Sequence, residues 1–134
     1  MEEDLRVVRE VPGVDELGLG ERSNAGVGLA EKLFLPINGA RQGMILKSRD
    51  VTRPVLLYLH GGMPEYFLTR KHPTGLDGLF TVCWWEQRGS GLSFDPKADP
   101  RLVSLDQLVS DTLAVADYLR SRFGQDRIYL LGHS

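Results

Sequence analysis

The chain has 134 residues, long enough for one domain with its own core, and its 42% apolar and 25% charged content is that of an ordinary globular protein rather than a disordered one. A formal net charge of -2 offers no basic field to attract nucleic acid or an anionic membrane surface, so neither is an expected partner. Cys83 is the single cysteine, which excludes an intrachain disulfide; it sits in an apolar run, so a buried thiol and a reducing compartment are expected.

Residues 1–30 carry Glu2, Glu3, Asp4, Arg6, Arg9 and Glu10 without the continuous apolar stretch of a signal peptide. No window approaches the roughly 20 apolar residues that span a bilayer, and a cytoplasmic protein is expected. Gly13, Gly18, Gly20, Gly26 and Gly28 interrupt this segment without a sustained period, which reads as a loosely ordered lead-in to a core domain over residues 31–134.

Two short strands are predicted at Leu33–Pro36 and Gly43–Lys47, joined at Asn38-Gly39, a favoured hairpin dipeptide. The run Val55–Leu59 is apolar on both faces, as a central strand covered on both sides would be, and stops at His60-Gly61-Gly62. A second such run, Leu79–Trp85, stops at Glu86-Gln87-Arg88-Gly89-Ser90-Gly91. Two buried strands thus open into glycine-rich loops.

From Ser104 to Phe123 the apolar residues Leu105, Leu108, Val109, Leu113, Ala116, Leu119 and Phe123 recur every three or four positions, which predicts an amphipathic helix with that stripe on the core. Ser104 and Gln107 form a capping-box pair, and Gly124 supplies the stop. Arg127–Leu131 returns as a strand, completing a strand-helix-strand unit that should be parallel and right-handed. The expected class is α/β, a mostly parallel sheet with an antiparallel opening hairpin. Repeats and low-complexity tracts are absent.

The last strand runs into Gly132-His133-Ser134. A serine on a sharp turn after a buried strand, with glycine two residues before it, is the start of the G-x-S-x-G elbow that exposes a nucleophile above a sheet. A serine hydroxyl is a poor nucleophile at neutral pH, so such a site also needs a base and donors for the oxyanion.

Three motifs in order, Leu59-His60-Gly61-Gly62, Glu86-Gln87-Arg88-Gly89-Ser90-Gly91-Leu92-Ser93 and Leu131-Gly132-His133-Ser134, resemble the proline iminopeptidase-like branch of the α/β-hydrolases. The resemblance runs from about Leu33 to Ser134 and corresponds to the N-terminal half of such an enzyme, incomplete after the fifth predicted strand. It implies a serine hydrolase that forms an acyl-enzyme on a small peptide amide or ester, with no cofactor and no metal, Ser134 as nucleophile, and Gly62, or else Gly61, as a backbone oxyanion donor. It further implies that His60 shapes the loop rather than acting as base, that Glu86 (where the family has aspartate) and Arg88 organise the second loop, that Ser93 is structural, and that His133 is the variable elbow residue. His72, beside Arg70 and Lys71, is expected in solvent.

The family usually continues His-Gly-Gly with Pro-Gly, whereas this chain has Met63-Pro64-Glu65-Tyr66-Phe67, which leaves exopeptidase specificity open. Met63, Tyr66 and Trp85 are candidates for lining a substrate pocket, although Trp84 and Trp85 point to opposite faces of a strand, so at least one belongs to the core. In this fold the triad acid and base follow the nucleophile. None follows Ser134, so the expectation is a chain inactive by itself. The competing expectation is a non-catalytic pairing module, with an exposed sheet edge inviting self-association.

Overall fold

The computed structural model describes residues 7–10 and 26–134. Its strands are β1 (Val7–Glu10), β2 (Leu29–Ile37), β3 (Ala40–Ser48), β4 (Val55–Leu59), β5 (Thr81–Glu86) and β6 (Tyr129–Gly132), with one long helix, α1 (Leu105–Phe123). They form one six-stranded sheet in the order β1-β2-β3-β5-β4-β6. β2 pairs antiparallel with β3 and β3 antiparallel with β5, while β4 runs parallel to both β5 and β6. The opening hairpin and the parallel unit are therefore both present.

Within the segment read as a lead-in, β1 adds a strand parallel to β2 that its sequence pattern does not announce. Gly13, Gly18 and Gly20 lie outside the described residues. The β2–β3 turn is made by Asn38 and Gly39, with φ of 49° and 81°. Both are left-handed, as a two-residue turn matching the twist of a hairpin requires.

Side-chain alternation divides the sheet into two packed faces. Leu33, Leu35, Met44, Leu46, Val55, Leu57, Cys83 and Trp85 share one face with Val115, Tyr118 and Leu119 of α1. Ile45, Leu56, Tyr58, Val82 and Trp84 form the other, covered by Tyr66, Leu76 and Phe80 from the β4–β5 connection. The two tryptophans thus face opposite ways, and Cys83 is fully buried. The α1 face is the drier of the two, its members mostly at 0% exposure. At about 1.5–3 kcal/mol for each fully buried Leu, Val or Met, it contributes the larger share of the hydrophobic stabilisation.

The ends of α1 follow the sequence. Ser104 Oγ accepts the Gln107 backbone N–H at 3.1 Å, and Gly124, at φ 63°, returns its N–H to the Arg120 carbonyl. The reciprocal half of the capping box is not made, because the Gln107 amide donates instead to Asp111 at 2.9 Å.

The expected apolar stripe needs correction. Leu105, Val109 and Leu113 are exposed, whereas Asp111, Val115, Tyr118 and Leu119 are buried. The helix has two apolar flanks, and the sheet takes the one that also carries Asp111. All four residues of β6 are exposed at the edge of the sheet.

Candidate active site

Because β4, β5 and β6 are parallel, the loops after them, starting at His60, Gln87 and His133, open on one edge of the sheet. β4 lies between β5 and β6, and the chain moves first to β5 on one side and then to β6 on the other. That reversal is the topological switch point where open α/β sheets leave a crevice for ligands.

Ser134 stands in this crevice with φ 62°. A non-glycine residue there is in the sparsely populated left-handed region, a strained conformation. His133 extends the parallel pairing by one bond, its N–H donating to the Leu59 carbonyl at 3.0 Å. The elbow then presses on the His-Gly-Gly loop. A Cβ on Gly61 would meet the His133 carbonyl oxygen and the Ser134 Cβ, each at 2.8 Å, whereas a Cβ on Gly62 would meet nothing within 4 Å. Gly61 is therefore the contact glycine, and Gly62 faces open space beside it.

His60 has no free nitrogen. Its Nε2 accepts the Gln87 backbone N–H at 2.9 Å, and its Nδ1 lies 2.9 Å from the Gly61 carbonyl, which can only accept. The ring is thus a neutral Nδ1–H tautomer with both ends engaged. The Gln87 side chain also donates to the His60 carbonyl at 2.7 Å, so the first two motifs brace each other. His60 is thus tied at both ring nitrogens and at its carbonyl to the two loops.

Glu86 and Arg88 both bond to the backbone of neighbouring loops. A Glu86 carboxylate oxygen accepts the Leu92 N–H at 2.7 Å and fills the place a Cβ on Gly91 would take, and Gly91 holds a left-handed φ of 48°. Ser93 Oγ accepts the Gly43 N–H at 2.8 Å and donates to the Glu86 carbonyl, anchoring this turn on β3. Arg88 donates to both Asp111 oxygens, at 2.8 and 3.0 Å, and to the carbonyls of Ile37 and Asn38. Burial alone would raise the Asp111 carboxyl. Hydrogen bonds from Arg88, Asn38, Gln107 and Gln42 outweigh it and hold the group below the usual carboxylate range.

A further cluster lies beside the elbow. Tyr58 Oη donates to Glu65 Oε1 at 2.6 Å, and His133 Nδ1 lies 2.6 Å from Glu65 Oε2. The Tyr58 bond, together with the nearby His133, holds the Glu65 carboxyl low despite some burial. Burial, followed by the bond to Glu65, pushes the Tyr58 phenol up to about 12. His133 thus has a specific partner, beyond its expected part as the elbow's variable residue. His72 is exposed, as anticipated.

The expected pocket residues do not surround Ser134. Trp85 is 1% exposed and donates its indole N–H to the Gln42 side-chain oxygen, so it belongs to the core. Tyr66 is buried against Trp84 on the other face of the sheet. Met63 is exposed but lies outside the depression at the elbow. That open depression, about 390 Å³, is bordered by Leu59 and by Leu105, Leu108, Val109 and Thr112 of α1. The exposed flank of the helix therefore supplies the apolar wall. Among the described residues no cluster of His, Cys, Asp or Glu could hold a metal, and no helix is long and apolar enough to cross a membrane.

No family model matches the chain. It is 35% identical over 102 residues to the probable aminopeptidase YbaC of Bacillus subtilis (strain 168), covering 75% of this chain and 32% of that protein. Among solved structures it superposes on a proline iminopeptidase-related protein of Thermus thermophilus with a TM-score of 0.63 and 36% identity, over 78% of this chain and 36% of the other. The chain carries an α/β-hydrolase fold. The epoxide hydrolase VrEH1 of Vigna radiata, at 24% identity and a TM-score of 0.62 over 78% of this chain and 32% of that one, shares the fold alone. The chain spans about a third of the length of each of these relatives. The α/β-hydrolase core it does span includes all three motif loops.

The sequence pattern does not mark out Asp111, Gln87 or Glu65. Gln87 stood inside a motif without a role, and the polar Asp111 between two apolar flanks of a helix was a signal in itself. Glu65 carried no local mark.

Proposed function

We propose that this chain supplies the nucleophile and part of the oxyanion hole of a serine hydrolase that forms an acyl-enzyme on a small peptide amide or ester. The observation that carries the reading is the left-handed Ser134 seated against Gly61 at the open end of the sheet. Ser134 Oγ attacks the carbonyl carbon, its proton passes to a histidine, and the oxyanion takes a hydrogen bond from the Gly62 N–H; collapse of the adduct then breaks the C–N or C–O bond, and the histidine returns the proton to the departing amine or alcohol. In this fold the second oxyanion donor is the residue after the nucleophile. The exposed apolar flank of α1 would receive the acyl side of the substrate.

The base in this reading is none of the chain's three histidines. Both nitrogens of His60 are engaged, His72 is exposed in a separate loop, and His133 turns to Glu65. In this reading the base therefore comes from outside these 134 residues, and the chain alone is inactive. The likeness to an aminopeptidase and to an iminopeptidase-related protein favours a peptide amide at its amino end over an ester. A serine nucleophile also separates this chain from hydrolases that use aspartate at the elbow.

The test is a panel of aminoacyl p-nitroanilides and p-nitrophenyl esters assayed with the full-length protein. Turnover that disappears in Ser134→Ala supports the proposal; equal turnover in that variant refutes it.

One observation favours a second reading, a non-catalytic pairing module. β6 is an edge strand with Tyr129, Leu130 and Leu131 at 59%, 56% and 40% exposure, and such an edge invites another strand. Concentration-dependent association of the 134-residue chain in sedimentation would favour it, and a monodisperse, cooperatively melting monomer would count against it.

A further inference from the structure

We infer that Glu65 is a positioning residue that locks the nucleophile elbow to the His-Gly-Gly loop through His133, with Tyr58 fixing the carboxylate from behind. This rests on the proposed serine-hydrolase reading of Ser134 and deepens it.

The three side chains come from three separate elements. Tyr58 is the fourth residue of β4, its ring packed on Trp84 with centroids 4.6 Å apart, so the phenol has a fixed direction. Glu65 lies three residues beyond Gly62, and its carbonyl accepts the Leu68 N–H at 3.0 Å, which ties its backbone into the following turn. His133 immediately precedes Ser134. Each Glu65 oxygen takes one partner, Tyr58 Oη at 2.6 Å and His133 Nδ1 at 2.6 Å. The carboxylate is ionised at neutral pH and can only accept, so both partners donate.

The consequence is geometric. Ser134 holds a strained backbone angle, and strain of this kind persists only where the surroundings over-determine it. Gly61 presses on the elbow from one direction, and the β4 pairing holds His133 N–H from another. The Glu65 bond restrains a remaining freedom of His133, the rotation of its side chain. A catalytic constellation loses rate steeply when displaced by a fraction of an ångström, so the interlock would set the placement of Ser134 Oγ relative to the Gly62 N–H.

The pair is also poorly suited to a purely structural role. His133 is 61% and Glu65 23% exposed at the side chain, and solvent-exposed polar contacts of this kind add little to stability. Their removal should therefore register in rate and not in melting temperature, which separates positioning from bulk stabilisation.

The experiment compares wild type with Glu65→Ala, Glu65→Gln, His133→Ala, the Glu65→Ala/His133→Ala double variant and Ser134→Ala in the full-length protein. It reads kcat, KM and melting temperature with the best substrate of the panel. Expected are a fall in kcat of about tenfold or more for Glu65→Ala and for His133→Ala, a KM within about threefold, and a melting temperature close to wild type. The double variant should be no worse than the singles, because both remove one interaction. Glu65→Gln, which keeps the shape and one acceptor oxygen, should recover part of the rate. The inference is overturned if Glu65→Ala stays within twofold of wild type, if the losses multiply in the double variant, or if the rate falls only alongside the melting temperature. Turnover lost in Ser134→Ala but unchanged in Glu65→Ala overturns the interlock alone, whereas turnover that survives Ser134→Ala overturns the reading of the site as well.

Discussion

A Cβ on Gly61 would stand 2.8 Å from the Cβ of Ser134, closer than real Cβ atoms approach one another. The glycine in the loop after β4 is thus matched to the elbow after β6, two segments more than seventy residues apart brought into contact by the parallel pairing of their strands. The adjacent Gly62 has no such neighbour.

Gly61→Ala should therefore force the elbow away and cost about 1–3 kcal/mol, as overpacking of a close contact does, whereas Gly62→Ala should stay within about 0.5 kcal/mol. Urea unfolding of the two variants checks this, and the order of the two effects is the decisive observation. Gly62→Ala also keeps its backbone N–H, so its effect on turnover should be small compared with that of Gly61→Ala.

The Arg88–Asp111 pair joins the loop after β5 to the start of α1 and the β2–β3 turn. Its side chains are 10% and 0% exposed, so removing Arg88 leaves a buried carboxylate without its countercharge. Arg88→Ala should cost about 3–5 kcal/mol by chemical denaturation. The folded-state value of the Asp111 carboxyl is depressed, so its stabilising contribution is complete above the unfolded value of about 3.9 and is lost as pH falls through the folded one. Asp111→Asn should accordingly flatten the acid limb of the stability profile while lowering the plateau at neutral pH.

Cys83 tests the drier face of the sheet. Burial raises its thiol well above the ordinary range, and its Sγ packs 3.6 Å from the Met44 sulfur. A disulfide reagent at pH 8 should leave the native protein unmodified and titrate one thiol per chain after denaturation. Rapid labelling of the native protein would mean that the α1 face opens.

Tyr58 gives a second titration. Its phenol is pushed up to about 12, first by burial and then by the bond to Glu65. In the protein with 13Cζ-labelled tyrosine, its resonance should remain in the neutral position beyond pH 11, and Glu65→Gln should bring the transition down by removing the charge that opposes the phenolate.

The local features of this chain were legible in its sequence because their causes are local. Asn38-Gly39 makes the turn it names, Ser104 and Gly124 end the helix where they stand, and the glycine-rich loops follow the strands that the apolar runs mark. What was not legible depends on residues distant in sequence. Asp111 takes its place in the core because Asn38, Gln42 and Arg88 reach it from other elements, and that network decides which flank of α1 is buried. The helical period alone could not choose between two apolar flanks. Trp85 was a pocket candidate by composition, yet its alternation with Trp84 and the buried Gln42 beneath it send it to the core. Glu65 and His133 are 68 residues apart, and only the assembled sheet brings them together.

The central claim is that Ser134 is the nucleophile, and the most direct measurement is site mapping after treatment of the full-length protein with a fluorophosphonate. Intact mass and peptide mass spectrometry should show one adduct per chain on the peptide ending the β6 strand, at Ser134, and none in Ser134→Ala. An adduct at another residue, or equal labelling of the Ser134→Ala protein, would contradict the account.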